Sequence, residues 1–278
     1  MALAFWEQVV ANDFRVPLDR PLAELTSELT SMLGDTDPRV RDGLAYPTLA
    51  AWISEGVYDD LLHGLGDGMA AGLDVGLGSD GSDTVFRRSC SARILGECIA
   101  RDNQRQLLAP DTLMTWGDRA ASWWVRERDL RGFVPGQGWA LAAARGADVI
   151  GALAQSPSMG RLELTVLLDV IADRLLKPTG YLWCHGEDDR VAAATMQVLR
   201  REVLGLDVLE PWLARIATKA TPTGPKNSDV YLITGNVQSY LRALYVQLAL
   251  APKPPGTRAD LLLAIIDHLK RSNPQVLA

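Results

Sequence analysis

Asp35-Thr-Asp-Pro-Arg-Val-Arg-Asp42 reads as the head of a helix. Asp37 is a short acceptor placed to take a backbone N–H of the first turn, as a helix cap does. Pro38 follows at the first helical position, where its missing N–H leaves no intrahelical bond unmade. Behind it Val40, Leu44, Leu49, Trp52 and Ile53 form an apolar stripe at helical spacing. A cap, an opener and a stripe together specify an amphipathic helix with one face buried. Before it, Phe5, Trp6 and Val9 mark a helix over residues 4–11. Leu22, Leu25, Leu29 and Met32 mark another, closed by Gly34.

Asp-x-x-Val-Arg at a helix head resembles the second helix of a HEAT repeat, and similar helix heads recur along the chain. Ser82-Asp-Thr-Val85 opens a helix through Ile94, Leu95, Cys98 and Ile99. Gly138-Trp139 is expected to open an alanine-rich one. Glu187-Asp-Asp-Arg-Val191 opens a fourth through Met196, Leu199 and Val203, and Gly235-Asn-Val237 a fifth through Tyr240, Leu244 and Leu248. The intervals between Val40, Val85, Trp139, Val191 and Val237 are 45, 54, 52 and 46 residues. HEAT-type repeats run roughly 40–47, so two intervals fit and two need insertions, at residues 126–138 and 177–186. Partner helices are expected at residues 58–73, 112–127, 162–176, 209–219 and 257–270. The fold expected is therefore all-α, a HEAT-like α-solenoid of about five helix pairs in one domain, 1–278, with an irregular helical domain as the alternative. Val230-Tyr-Leu-Ile-Thr234 has strand-like composition and can equally start the last helix. The glycine-rich run from 64 to 83 is expected to be a mobile loop, and residues 220–229 a long polar one.

Hydrophobic residues make up 47% of the chain and charged ones 22%, which places it among soluble globular proteins. The net charge is −6, without the basic excess that a nucleic-acid partner draws. No apolar run approaches the ~20 residues of a membrane span, and the N-terminal residues lack the basic start of a signal peptide. Three widely spaced cysteines, Cys90, Cys98 and Cys184, fit reduced thiols. These features point to a cytoplasmic protein with neither nucleic acid nor membrane as partner. No motif specifies an oligomeric state.

One stretch stands apart from the helices: Asp129-Leu-Arg-Gly-Phe-Val-Pro-Gly-Gln-Gly-Trp139, running into Gly146-Ala-Asp148. Three glycines and a proline make it a built corner. With Asp37-Pro-Arg-Val-Arg-Asp42, Asp83-Thr-Val-Phe-Arg-Arg-Ser89, Glu187-Asp-Asp-Arg190 and Tyr240-Leu-Arg-Ala-Leu-Tyr245, it resembles the bacterial domain-of-unknown-function family 2785 across nearly the whole chain. The resemblance implies a helical, HEAT-like fold and no assigned activity. It also implies a histidine pair four residues apart after Gly-Trp-Ala, where this chain has Leu141 and Arg145, making it a divergent member. Metal chemistry through that pair is therefore not expected, and Arg145 puts a fixed positive charge there, suited to a carboxylate or phosphate.

Other motifs weigh less. Trp183-Cys-His-Gly186 is half a zinc site at most, since zinc takes three or four ligands. Gly64-x-Gly-x-Gly68 lacks the Gly-Lys-Ser/Thr ending of a phosphate loop. Ser89-Cys90 follows two arginines, which lower a thiol pKa, but a core thiol is the plainer reading. Glu187, Asp188 and Asp189 suit a helix N-terminus, where negative charge is stabilised. Trp116, Trp123 and Trp124 share a helix face, as a core stripe or a groove wall.

The candidate ligand-binding set is Arg88, Asp129, Arg131, Trp139, Arg145, Asp148, Glu187 and Arg190, with no metal and no cofactor. Arg41, Arg87 and Arg242 fall on or near the same inner helices. The function expected is binding of a small acidic molecule or acidic peptide in a concave groove. The alternatives are an enzyme of unspecified reaction using acid and base groups around Trp139, Asp148 and Glu187, and a protein–protein scaffold.

Overall fold

The computed structural model describes residues 2–223 and 229–277, and among them the protein is helical apart from one short hairpin. In chain order come α1 (Ala2–Ala11), α2 (Leu22–Met32), α3 (Pro38–Val40), a π-turn (Arg41–Ala45), α4 (Tyr46–Ser54) and a 3-10 turn (Asp59–Leu61). Then follow α5 (Leu62–Gly72), α6 (Thr84–Arg105), α7 (Pro110–Arg126), strands β1 (Phe133–Val134) and β2 (Gly138–Trp139), and α8 (Ala142–Ala154). The last are α9 (Arg161–Leu176), α10 (Glu187–Leu199), α11 (Leu206–Ala217), α12 (Tyr231–Leu250), α13 (Arg258–Ser272) and α14 (Pro274–Leu277). The chain divides into two compact units, Met1–Val149 and Ile150–Ala278, with the division falling within α8. Of the polar 220–229 stretch, residues 224–228 lie outside the described residues.

In the first unit the helix head forms as its residues dictate. Asp37 Oδ1 accepts the Arg39 backbone N–H at 2.8 Å, and Pro38 is the first helical residue. The helix does not run on regularly. Pro47 has no N–H to offer the carbonyl of Gly43, and its ring would crowd that carbonyl in a regular helix. The residues just before it widen into the π-turn, in which the Tyr46 N–H reaches back to the Arg41 carbonyl. Such π-bulges are often found at functional sites.

Here α2 packs on α4, α4 on α6, and α5 on both α6 and α7. Trp6, Trp52 and Tyr58 lie in a row, with ring centroids 6.2 and 6.3 Å apart, and Trp52 Nε1 donates to the Phe14 carbonyl at 2.6 Å. Trp116, Trp123 and Trp124 on α7 are each at most 1% exposed, so that stripe is core. Burying 150–250 Å² apiece at about 25 cal/mol per Å², each contributes roughly 4–6 kcal/mol. Glycines make room for them. A Cβ on Gly66 of α5 would lie 2.1 Å from the Trp116 ring, and one on Gly146 of α8 2.0 Å from Trp124.

In the second unit α9 packs against α10, α11 and α12; α12 also packs against α10 and α13, and α13 against α11. Thr195 and Tyr240 share a buried hydrogen bond of 2.9 Å between α10 and α12.

The helix expected at residues 58–73 forms over Leu62–Gly72, and the mobile-loop reading of the glycine-rich run fails there: Gly66 and Gly72 are contact points and not breaks, and a Cβ on Gly72 would meet Ser91 Oγ at 2.2 Å. Of the two readings of Val230–Thr234 the helical one holds, since α12 starts at Tyr231. A further expectation is overturned. Trp139 does not open the alanine-rich helix. It ends β2, paired with Phe133, and α8 starts only at Ala142 after Leu141 takes a left-handed φ of 54°.

Candidate functional site

The corner after α7 is held by buried charge. Glu127 is 1% exposed, and its carboxylate accepts Arg88 Nε, Arg88 Nη2 at 2.9 Å, Trp123 Nε1 at 3.0 Å and the backbone N–H groups of Arg128 and Asp129. Arg88, wholly buried, uses its remaining Nη1 on the carbonyls of Val75 and Gly76 and on Thr84 Oγ1. A buried ion pair is tolerated when its remaining polar atoms are also met, and here each guanidinium nitrogen of Arg88 and both carboxylate oxygens of Glu127 have partners. Asp129, also wholly buried, accepts the Gly81 N–H at 3.0 Å and is clamped by Arg131 at 2.7 and 2.8 Å. Arg131 Nη2 then donates to the Ser82 carbonyl at 2.9 Å. The corner is thereby stitched to the segment that precedes α6.

The hairpin tip is tied to the helix head described first. Arg41 is wholly buried, lies 4.2 Å from the Phe86 ring centroid, and donates to the carbonyls of Asp35 and Gln137, each at 2.8 Å, and to Asp42 at 2.7 Å. Gly138 has φ 80°, and a Cβ there would come within 3.0 Å of Pro38 and 3.2 Å of Arg41, so only glycine fits. Trp139 stands 45% exposed, edge-to-face on the half-exposed Phe133 at 5.0 Å.

Next to this knot the first unit presents a half-exposed polar strip across three helical segments. Asp42 and Tyr46 come from the π-turn and α4, Arg93 and Glu97 from α6, and Arg145 and Asp148 from α8. The Arg93 guanidinium lies over the Tyr46 ring, 3.1 Å from its centroid, in a cation–π contact. Tyr46 Oη donates to Glu97 at 2.7 Å. Arg93 reaches Asp42 only at 4.0 Å, and Arg145 reaches Asp148 at 3.5 Å one helical turn away. Burial, then the bond to Glu97, pushes the Tyr46 hydroxyl up to about 12, with Arg93 and Arg145 pulling the other way. Cys90 lies buried beneath the strip. Its thiol is pushed up to about 11, first by burial and then by Asp42, against the pull of Arg41, Arg145 and Arg93. A nucleophilic role for this thiol is thus opposed by its surroundings.

Of the eight expected site residues, Arg88, Asp129, Arg131, Trp139, Arg145 and Asp148 belong to the first unit. Arg88, Asp129 and Arg131 form the structural stitching, Trp139 sits on the exposed hairpin, and Arg145 and Asp148 lie on the strip. Glu187 and Arg190 belong to the second unit. Glu187 is 1% exposed at the start of α10 and accepts the His185 backbone N–H at 2.7 Å, so its side chain turns back onto the preceding loop. Arg190 is exposed on the same helix. That loop is pinned by Asn236, which accepts the Trp183 N–H at 2.7 Å and donates to the Tyr181 carbonyl at 3.0 Å. Cys184 is exposed, with its sulfur 3.4 Å from His185 Nδ1. Among the described residues no three His, Cys, Asp or Glu side chains gather in a way that could hold a metal.

Sequence reasoning missed Asp42, Tyr46, Arg93 and Glu97. Arg93 and Glu97 do carry a signal, since four-residue spacing places both on one helix face with Cys90. Asp42 and Tyr46 are obscured by the π-turn, which shifts the helical period between them.

No helix among the described residues is long and apolar enough to cross a membrane. No curated protein and no solved structure matches the chain. A family model described as Protein of unknown function (DUF2785) matches residues 73–246, a span that runs from the end of α5 into α12 and holds the corner and the α6 and α8 parts of the strip. With well over half its length matched, the chain belongs to the DUF2785 family.

Proposed function

We propose that the protein is a cytoplasmic binding protein that takes a small acidic molecule, or the acidic side chains of a peptide, on the polar strip of its first unit. The reading rests on Arg93. Its guanidinium is held over the Tyr46 ring while the nearest carboxylate, that of Asp42, stays at 4.0 Å, beyond the 2.7–2.9 Å of a charge-assisted hydrogen bond. An oriented, part-exposed guanidinium offers a planar fork to an incoming carboxylate or phosphate. Arg145 supplies a second positive charge on the same strip. HEAT-like pairing accounts for the arrangement within this unit: α4, α6 and the start of α8 act as inner helices, and α2, α5 and α7 as outer ones. In the second unit α10 and α12 take the inner role, completing about five pairs.

Trp139 favours binding over acid–base catalysis, because it stands 45% exposed on a hairpin, edge-to-face on the half-exposed Phe133. The test is a thermal-shift screen of the whole chain against anionic metabolites, since a ligand raises apparent stability by mass action. A hit should bind Arg93→Ala and Arg145→Ala about tenfold or more weakly, as expected for a lost hydrogen bond to a charged group of ~1.5–3 kcal/mol. Both variants should melt close to the parent, because such part-exposed pairs contribute only about 1 kcal/mol or less. Unchanged affinity in both variants would remove the strip from consideration.

A further inference from the structure

A separate cavity of about 390 Å³ lies between α2 and α5, open to solvent along one side. Leu22, Leu61, Leu65 and Met69 give it apolar walls, and it lies almost wholly outside the residues that the family model matches. Its polar groups are few. The hydroxyls of Thr26 and Tyr58 are 2.8 Å apart, and Thr26 donates its proton to the Leu22 carbonyl at 2.7 Å. Tyr58 must therefore donate to Thr26, which leaves neither hydroxyl a proton for a ligand. Thr30 likewise spends its proton on the Ser27 carbonyl at 3.0 Å. Ser27 adds an exposed hydroxyl, and the one charged side chain among the residues lining the wall is Arg87.

Arg87 differs from other buried and part-buried arginines of the first unit. Arg41 has Asp42, Arg88 has Glu127, Arg101 has Asp59 and Arg131 has Asp129. Arg87 threads between Gly34 and Gly72, where added Cβ atoms would lie 3.4 Å from its Cβ and 3.3 Å from its Nε. One of its amino groups donates to the Thr30 carbonyl. Among the described residues no carboxylate forms an ion pair with it. Burial depresses its pKa from the ordinary arginine value, and only Cys90 acts in the other direction. A half-buried guanidinium keeps its charge even so, and burying charge without a partner is costly.

We propose that this cavity binds a small amphipathic monocarboxylic acid, with its apolar body against the leucines and Met69 and its carboxylate on Arg87. The cavity sets the size: at a water's share of about 30 Å³ per site, it holds on the order of a dozen non-hydrogen atoms. Apolar walls with one well-placed charge are the usual composition of a small-molecule site.

Sodium octanoate is a probe of this class, and 1-octanol its uncharged counterpart. Calorimetry on the full chain should show octanoate binding, and octanoate should raise the melting temperature. Arg87→Met should weaken octanoate at least tenfold while leaving octanol within about twofold of its affinity for the parent. Gly68→Leu provides a second, independent arm. Gly68 lines the cavity, and a Cβ there would meet nothing within 4 Å, so the leucine fills the space without a clash. This variant should lose octanoate binding while melting no lower than the parent, because leucine favours a helix more than glycine does. If Arg87→Met does not fold, Gly68→Leu decides alone. Failure of octanoate to bind the parent at millimolar concentration, or equal binding by the parent and the folded variants, would overturn the proposal.

Discussion

Arg88 and Glu127 show how much one residue can determine. Their pair is fully buried, and each guanidinium nitrogen of Arg88 has an acceptor, on Glu127 or on Val75, Gly76 and Thr84. Arg88→Met should cost about 3–5 kcal/mol, because it leaves the Glu127 charge buried without its partner, and denaturant unfolding will measure the loss. Tyr46 and Tyr58 are both held at about 12, chiefly by burial. A tyrosine is neutral when protonated, so the fold favours the protonated form. That stabilisation is complete below the unfolded value of about 10 and is lost as pH rises from there through about 12. Unfolding midpoints should fall across that window, and less so in Tyr58→Phe. The cysteines give a third measurement. Cys98, like Cys90, is buried with its thiol pushed up by that burial, whereas Cys184 is exposed. Iodoacetamide at mild pH should modify Cys184 alone in the folded protein, as read by peptide mass spectrometry.

Single helices are set by where their glycines fall. On α5, Gly66 and Gly68 are two residues apart and have opposite roles. The Gly66 position lies against Trp116, while Gly68 looks into open space. Gly68→Ala should stabilise by roughly 0.5–1 kcal/mol through helix propensity. Gly66→Ala should destabilise by about 1–3 kcal/mol or more, since the added methyl must displace an indole. Thermal melts of the two single variants should therefore move in opposite directions. The π-turn is likewise an element-scale consequence of one residue, Pro47. It leaves Asp42 and Tyr46 at the edge of the polar strip, where Arg93 meets both.

At the scale of the molecule, two compact helical units share one chain, and the family match extends over parts of both. The net charge of −6 opposes a polyanionic partner. A DNA duplex should therefore keep its electrophoretic mobility in the presence of the protein at physiological salt, where non-specific binding rests on phosphate neutralisation. Small anions are different, because a local guanidinium can attract them whatever the net charge. The strip and the α2–α5 cavity are both organised around such groups, Arg93 and Arg87.

The sequence by itself determined the elements: the Asp37-Pro38 helix head, the apolar stripes, the α7 tryptophan face as one of two readings, the helices between those heads and the family. These follow from rules that act over a turn or two of chain, where cap, spacing and propensity are all local. Only the tertiary structure decided what the charges do. Arg88 meets Glu127 across 39 residues, and Arg41 meets the Gln137 carbonyl across 96. An arginine in a sequence is the same letter whether its charge is neutralised or available, because its partner is chosen by folding. Arg88, Asp129 and Arg131, prominent in the sequence, became the stitching of a corner, while among the described residues Arg93 has a carboxylate no nearer than Asp42 at 4.0 Å and Arg87 forms no ion pair. The same holds for Trp139. A left-handed residue at Leu141 delays the helix by three positions, which places the indole on an exposed hairpin and not on the face of α8.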